Sequence, residues 1–301
     1  MKVGIDLGGS HIAIGVVNDK GKIIEKFEKR ILNNEKKNIE KAIEENVFQH
    51  IKDLSKRYKI EKIGIAAPGT IQDGKIINAY NLGIKGEYKI VSNLSKKIKL
   101  PIMIRNDAKC AAIAENKYGC LKQYKRSIFL TLGTGIGGAV IINNELLDTG
   151  NLPGCEFGHM IIEKDGLLCS CGKFGCWQQY ASMKALKDNL RKALGCDEKT
   201  DSKQLLNILR NTKKEDKSFT IINNIIEEYI ENLAIGISNL INIFEPEIIG
   251  IGGSFVYFKD ILLNKLENKL LKDNLLFNSR NDMKIQTAIL ENDAGIIGST
   301  L

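Results

Sequence analysis

The sequence predicts an α/β protein built as two related halves. Three observations lead there. Short apolar runs alternate with helix-patterned stretches along the chain. A strand, a glycine turn, a strand, a polar turn and a strand occur near residue 3 and again near residue 128, a repeat of pattern rather than of identity. The length, 301 residues, suits two domains of about 100–200 residues each.

The elements follow in order. Val3–Asp6 is a short apolar strand, Gly8-Gly9-Ser10 a tight turn, Ile12–Val17 a second strand, Asn18–Gly21 a polar turn and Ile23–Phe27 a third strand. A polar stretch of helical pattern runs from about Glu35 to Arg57. Lys62–Ala67 is a strand ended by the Pro68-Gly69 reversal. Ile102–Arg105 is another, and Asn106 and Asp107 then stand at the start of a helix from Ala108 to about Tyr118. The pattern restarts with strand Ser127–Leu132, glycine turn 133–138, strand Ala139–Ile142, turn Asn143-Asn144 and strand Glu145–Leu147. Helical patterns fill Ser182–Phe244. The clearest buried face is Ile222, Ile225, Ile226, Tyr229, Ile230, Leu233, Ile237, Leu240, Ile241 and Phe244, and Pro246 stops it. Ile248–Ile251 is a strand leading into Gly252-Gly253-Ser254, followed by a helix over about 259–272, a strand over 284–290 and a short helix over about 294–300. The expected domains are 1–118, a smaller α/β domain on which the terminal helix 292–301 packs back, and 119–291, with the boundary near Gly119.

Composition narrows the function. Basic residues number 44 against 36 acidic, a net charge of +8, but only seven are Arg. Base-reading and phosphate-forking surfaces favour Arg, and the lysines are spread along the chain beside Glu and Asp. The charge reads as a solvated surface, with no nucleic-acid partner. No apolar run approaches the roughly 20 residues of a membrane span, and no secretory leader is visible, so a cytoplasmic protein without a membrane partner is expected. Its seven cysteines are then expected to be reduced.

Four residues stand out from that background. His159, Cys169, Cys171 and Cys176 give His-x9-Cys-x-Cys-x4-Cys, a set that satisfies tetrahedral Zn²⁺ with no open position and so reads as structural. A metal-free loop of reduced thiols and a redox site are the alternatives, although C-x-C lacks the usual redox spacing. Cys110, Cys120, Cys155 and Cys196 are isolated and read as packing residues.

Glycine turns leave backbone N–H groups open to a phosphate. Gly8-Gly9-Ser10, Gly133-Thr134-Gly135-Ile136-Gly137-Gly138 and Gly252-Gly253 are three such turns, though each alone is also an ordinary chain reversal. Gly133, Gly135 and Gly138 fit G-x-G-x-x-G, but a strand follows where a dinucleotide fold needs a helix, so that reading fails. Asn106 and Asp107 admit two readings, a helix cap or a polar pair with a general base at the carboxyl edge of a sheet.

Together these motifs resemble a known family. Asp-Leu-Gly-Gly-Ser at 6–10, Gly-Thr-Gly-Ile-Gly-Gly at 133–138 and Ile-Gly-Ile-Gly-Gly-Ser at 249–254 resemble the phosphate and adenosine motifs of actin-like sugar kinases. Asn106-Asp107-Ala108, Glu156-Phe157-Gly158-His159, the cysteine run 169–176 and Asn292–Gly298 narrow the resemblance to the ROK family (repressors, open reading frames and kinases). The resemblance covers nearly the whole chain, in order.

The resemblance implies a two-domain actin-like ATPase (ribonuclease H-like) fold with a nucleotide and sugar cleft between domains. It implies an ATP-dependent hexose kinase, with Mg²⁺ accompanying ATP and a structural Zn²⁺ on His159, Cys169, Cys171 and Cys176. Asp107 would be the catalytic base. Gly69, Asn81, Asn106, Asp107, Glu156, His159 and Gln178 would face the sugar. Asp6, Gly8, Gly9, Ser10, Gly133, Thr134, Gly135, Gly137, Gly138, Gly252 and Gly253 would hold ATP and Mg²⁺. Glucose, phosphorylated at O6, is the first expectation; N-acetylmannosamine, N-acetylglucosamine, fructose, mannose, allose and β-glucosides stay open, as does a degenerate sugar-binding protein. A homodimer is expected because dimers are common among relatives. The repressors carry an N-terminal helix-turn-helix domain, for which a phosphate motif beginning at Asp6 leaves no room. Three positions depart from the pattern: Gln178 where the family usually has a sugar-binding Glu, Ala139 where a third glycine is common, and Ser10-His11 where Thr-Asn or Thr-Lys is common.

Overall fold

A computed structural model describes residues 1–9, 11–32, 38–147, 155–272 and 283–301. Ser10 and the expected helix start at 35–37 lie outside the described residues. By its internal contacts the chain forms two compact units: Met1–Gln123 with Ala139–Cys155 and Ile289–Leu301, and Tyr124–Gly138 with Glu156–Ala288.

The chain opens with β1 (Lys2–Leu7), β2 (His11–Val17), β3 (Ile23–Arg30), α1 (Ile39–Ser55) and β4 (Lys62–Ala67). A small three-stranded sheet follows: β5 (Thr70–Gln72), β6 (Lys75–Ile77) and β7 (Glu87–Tyr88). Then come α2 (Ile90–Ser95), β8 (Ile102–Asn106) and α3 (Asp107–Tyr118). The main sheet runs β3-β2-β1-β4-β8, antiparallel across β3, β2 and β1 and parallel across β1, β4 and β8. Alternation puts Val3, Ile5, Leu7, Ile12, Ile14, Ile63 and Ile65 in a core with Ile43, Val47 and Ile51 of α1.

The repeat returns in β9 (Arg126–Leu132), β10 (Ile136–Ile142), β11 (Glu145–Leu146), and, after α4 (Gln178–Ala181), α5 (Met183–Leu194), α6 (Ser202–Asn211) and α7 (Lys217–Phe244), in β12 (Ile248–Gly253). After α8 (Lys259–Lys272), β13 (Lys284–Thr287) completes a sheet of order β11-β10-β9-β12-β13, and α9 (Ala294–Ser299) closes the chain. Both five-stranded sheets therefore share one order: third, second, first, fourth, fifth. α7 buries Ile222, Ile226, Tyr229, Ile230, Leu233, Ile237, Leu240 and Ile241, the face read from its spacing, with Ile225 and Phe244 half-buried at its margin.

α9 lies against the first sheet because three side chains are missing there. Gly4 faces Gly15 on β2 and Gly64 on β4, a row of glycines across three strands. A Cβ on Gly4 would come within 2.0 Å of the Ile296 carbonyl oxygen, and one on Gly64 within 1.8 Å of that of Ser299. The helix backbone thus takes the space side chains would fill.

Three boundaries differ from the sequence reading. The returning strand begins at Ile136, not Ala139, so the glycine turn is the shorter 133–135. β12 runs on through Gly252 and Gly253, which pair with Thr131 and Leu132 of β9. β13 ends at Thr287: the Ala288 N–H still donates to the Ile251 carbonyl (2.9 Å), but the donors after it turn to a carboxylate, Glu115 Oε1 accepting the N–H groups of Ile289 (2.9 Å) and Leu290 (2.8 Å).

Candidate active site

In the first unit the site grows from the strand ends. β8 stops at Asn106, whose side chain caps α3 by accepting the Ala108 (3.0 Å) and Lys109 (3.3 Å) N–H groups. Its amide N–H donates to the Gly69 carbonyl at 3.2 Å. Gly69 has φ +85°, open to glycine and strained for other residues. Asn106 is therefore cap and brace at once. Asp107 starts the helix, with Oδ1 accepting the Ala108 N–H at 2.8 Å. Desolvation of its carboxyl raises its pKa, against the lowering effect of the Ala108 N–H and its own N–H. Asp6, at the end of β1, is pushed up to about 7, first by desolvation and then by the Asp107 charge, with Lys26 opposing. Gly295 leaves the Asp6 carboxyl its room, since a Cβ there would come within 2.6 Å of Oδ2. Two buried carboxyl groups, both raised by desolvation and one raised further by the other's charge, mark a place prepared for a cation or a proton transfer.

The β1–β2 turn is closed by the Gly8 N–H donating to the His11 carbonyl at 2.9 Å, and His11 is a strand residue. Gly9 lies against Asn81, whose carbonyl oxygen a Cβ would meet at 2.9 Å. Asn81 is exposed in a loop closed by Asn78: the Asn78 N–H donates to the Gly86 carbonyl, and Asn78 Oδ1 accepts the Gly86 N–H, both at 3.0 Å. Leu82 and Ile84 anchor that loop in the core. The structure thus joins Asp6, Asn106 and Asp107, and separately Gly9 and Asn81.

In the second unit the Gly133 N–H donates to the Gly135 carbonyl at 3.0 Å, leaving Thr134 exposed at the tip. The Lys184 N–H of α5 donates to the Gly133 carbonyl at 3.0 Å. Gly253 lies beside Leu132, immediately before this turn. Thr134, Ser170, Gln178, Lys184 and Asp188 line a cavity of about 980 Å³; Gly252 and Gly253 are not part of its wall.

The same unit gathers the four predicted metal ligands. His159 ends a 3-10 turn, Phe157–His159, that begins at the exposed Glu156. The loop 161–176 doubles back through Ile161–Cys176 and Leu168–Phe174 bridges. The ligand atoms of His159, Cys169, Cys171 and Cys176 all lie within 4.8 Å of one another. Cys171 and Cys176 Sγ are 3.6 Å apart, and Cys169 Sγ is 3.7 Å from His159 Nδ1. Tetrahedral zinc with bonds of about 2.3 Å to sulfur and about 2.0 Å to nitrogen has edges of roughly 3.8 Å and 3.5 Å. The donor set and its spacing fit a closed four-coordinate site. Burial raises the Cys169 thiol, but the Cys171 N–H, the Gln179 side chain and the Cys171 and Cys176 thiols bring it down to about 6. Beneath the loop, Trp177 is fully buried, its Nε1 donating to the Asn232 carbonyl at 2.8 Å.

Two parts of the site escaped the sequence reading. The small sheet β5–β7 carries the chain from Gly69 to the Asn81 loop; its signal was Asp73-Gly74, both at positive φ in the β5–β6 hairpin. Glu115, fully buried, accepts the Cys120 N–H at 2.8 Å as well as those of Ile289 and Leu290, and had no signal in spacing.

The profile of the ROK family matches residues 2–301. The chain belongs to the ROK family. It is 29% identical to a glucokinase of Thermotoga maritima, over 99% of this chain and 95% of that one. It is 30% identical to the xylose repressor of Bacillus subtilis over 89% of this chain, spanning 68% of that protein. Among solved structures, a ROK glucokinase from Streptomyces griseus in complex with glucose and AMPPNP matches with a TM-score of 0.81 and 26% identity, over 99% of this chain and 97% of that one. The fold is that of the ROK kinases, an actin-like ATPase fold. Among the described residues, no helix is long and apolar enough to cross a membrane.

Proposed function

We propose that this ROK chain is an ATP-dependent hexose kinase that transfers the γ-phosphoryl group to O6 of glucose. The observation that carries the reading is Asp107: a desolvated carboxyl at the carboxyl end of a parallel strand, beside Asn106 and electrostatically joined to Asp6. The glucokinases it resembles support the same class. A sugar sensor needs hydroxyl contacts but no base, and Asp107 therefore favours the kinase over the repressor reading.

Asp107, ionised, accepts the O6 proton as the O6–Pγ bond forms and the bond from Pγ to the β,γ-bridging oxygen breaks, with ADP leaving. Asn106 holds a neighbouring hydroxyl while its own amide stays braced on Gly69. Gly69, Asn81, Glu156 and His159 complete the sugar contacts. Mg²⁺ would neutralise phosphate charge, with Asp6 as its protein carboxylate. The phosphates lie against the turn of Gly8 and Gly9 and the segment Gly133, Thr134, Gly135, Gly137 and Gly138, in which the Gly8 and Gly133 N–H groups close their own turns. Gly252 and Gly253 complete the set on the adenosine side. Ser10 belongs to this set by motif alone. His159, Cys169, Cys171 and Cys176 would hold Zn²⁺, which supplies no chemistry to the transfer and fixes the turn that begins at Glu156. The chain is expected to work as a cytoplasmic homodimer.

Asp107→Asn tests the base. Glucose-dependent ADP release should fall by about 10²–10⁴-fold while glucose binding by calorimetry persists. Near-normal turnover would overturn the assignment.

A further inference from the structure

Gln178 touches three parts of the second unit at once. Its Nε2 donates to Cys169 Sγ at 3.4 Å. Its Oε1 lies against Gly135 and Gly158, where a Cβ on either glycine would come within 2.7 Å of that oxygen. Cys169 belongs to the four-ligand cluster, Gly135 closes the 133–135 turn by accepting the Gly133 N–H, and Gly158 sits between Glu156 and His159. One amide thus spans a metal ligand, a phosphate turn and the turn that carries a sugar-facing carboxylate. The Gln179 side chain also lowers the Cys169 pKa, but no Gln179 atom is among the atoms nearest Gly135 or Gly158.

We infer that Gln178 is a positioning residue that couples metal occupancy of the His159–Cys176 cluster to the shape of the 133–135 phosphate turn. The inference rests on the reading that the cluster holds zinc and the turn receives phosphate. A thiolate bound to a cation stays electron-rich, and an N–H aimed at it stabilises that charge. Such partners of a ligand typically matter 10–100-fold in metal affinity. With Nε2 fixed on sulfur, the planar amide directs Oε1 at the two glycines, and their missing side chains let it approach. A carboxylate of the same shape would replace the donor by a negative charge facing the thiolate. Loss of the metal would free the amide and with it the support under Gly135.

The test uses the full-length protein and the variants Gln178→Glu, Gln178→Ala and Gln179→Ala. Three quantities are read: zinc transfer to a chromogenic chelator, the thiolate-to-cobalt charge-transfer band after Co²⁺ substitution, and Mg²⁺–ADP affinity by calorimetry. Both Gln178 variants should hold zinc at least about 10-fold more weakly. Their cobalt band should move to longer wavelength, because a thiolate without its donor gives up charge more easily. Both should bind Mg²⁺–ADP more weakly. Gln179→Ala should weaken zinc and leave Mg²⁺–ADP affinity unchanged. Wild-type zinc affinity and cobalt spectrum in the Gln178 variants would overturn the inference. Weaker zinc with wild-type Mg²⁺–ADP affinity would overturn its link to the phosphate turn. A wild-type protein that takes up neither zinc nor cobalt overturns the metal reading itself, and one that binds zinc but no Mg²⁺–ADP overturns the nucleotide reading.

Discussion

Asn106 donates its side-chain N–H to the carbonyl oxygen of Gly69 at 3.2 Å, tying the start of α3 to the reversal that ends β4. The same side chain caps α3, so its two ends do different work. Asn106→Ala should cost about 1 kcal/mol of stability through the lost cap. Asn106→Asp keeps a capping oxygen and loses only the bond to Gly69. Both variants should raise the KM for hexose, and chemical denaturation should separate them. Equal stability loss in the two would show that the cap is not what Asn106 supplies.

Asp6 gives a pH signature. Its pKa is raised from 3.8 to about 7, so the folded chain holds this proton more tightly than the unfolded chain. The stability it contributes is present below the ordinary carboxylate range and is lost as pH rises to about 7. Asp6→Asn removes that dependence. In ligand-free protein the wild type should lose more melting temperature between pH 5 and pH 8 than the variant does. Parallel pH profiles would contradict the raised value.

Glu115 should be among the costliest residues to truncate. It is fully buried and satisfies the N–H groups of Cys120, Ile289 and Leu290. At about 1–3 kcal/mol per orphaned donor, Glu115→Ala should lose about 3 kcal/mol or more. Glu115→Gln keeps an acceptor for part of the set and should lose less. Urea midpoints measure both.

Trp177, the one tryptophan of the chain, directly follows Cys176 of the four-residue cluster and is fully buried. Removing metal with a chelator should shift its emission to longer wavelength and lower the melting temperature, and zinc should restore both. Cys171→Ser should behave like the chelated wild type. An unchanged spectrum on chelation would show that the cluster does not hold this part of the fold.

What could be read from the residues depended on range. Lys62–Ala67 and 259–272 are legible because apolar periodicity is local, and α7 because its pattern runs unbroken from Ile222 to Phe244. The four ligand residues were legible because their chemistry is unusual and their spacing short. Strands of two and three residues, as in β5–β7, are too brief to show a period. Gly4 and Gly64 read as ordinary strand residues, and only the arrival of α9 explains them. The end of β13 is hidden for the same reason: Ile289 and Leu290 look like strand, but a carboxylate 174 positions from Ile289 takes their donors. Gln178 reads as a departure from the family's usual Glu, and only the fold shows that its Nε2 also reaches Cys169.

The most direct measurement is ATP-dependent phosphorylation across a panel of hexoses, followed by ³¹P resonance of the product with Asp107→Asn as the paired control. The wild type should convert glucose to glucose 6-phosphate with one ADP per sugar, and the variant should be slower by about 10²–10⁴-fold. A wild-type protein that binds glucose and ATP but forms no sugar phosphate from any hexose would contradict the assignment of this chain as a kinase.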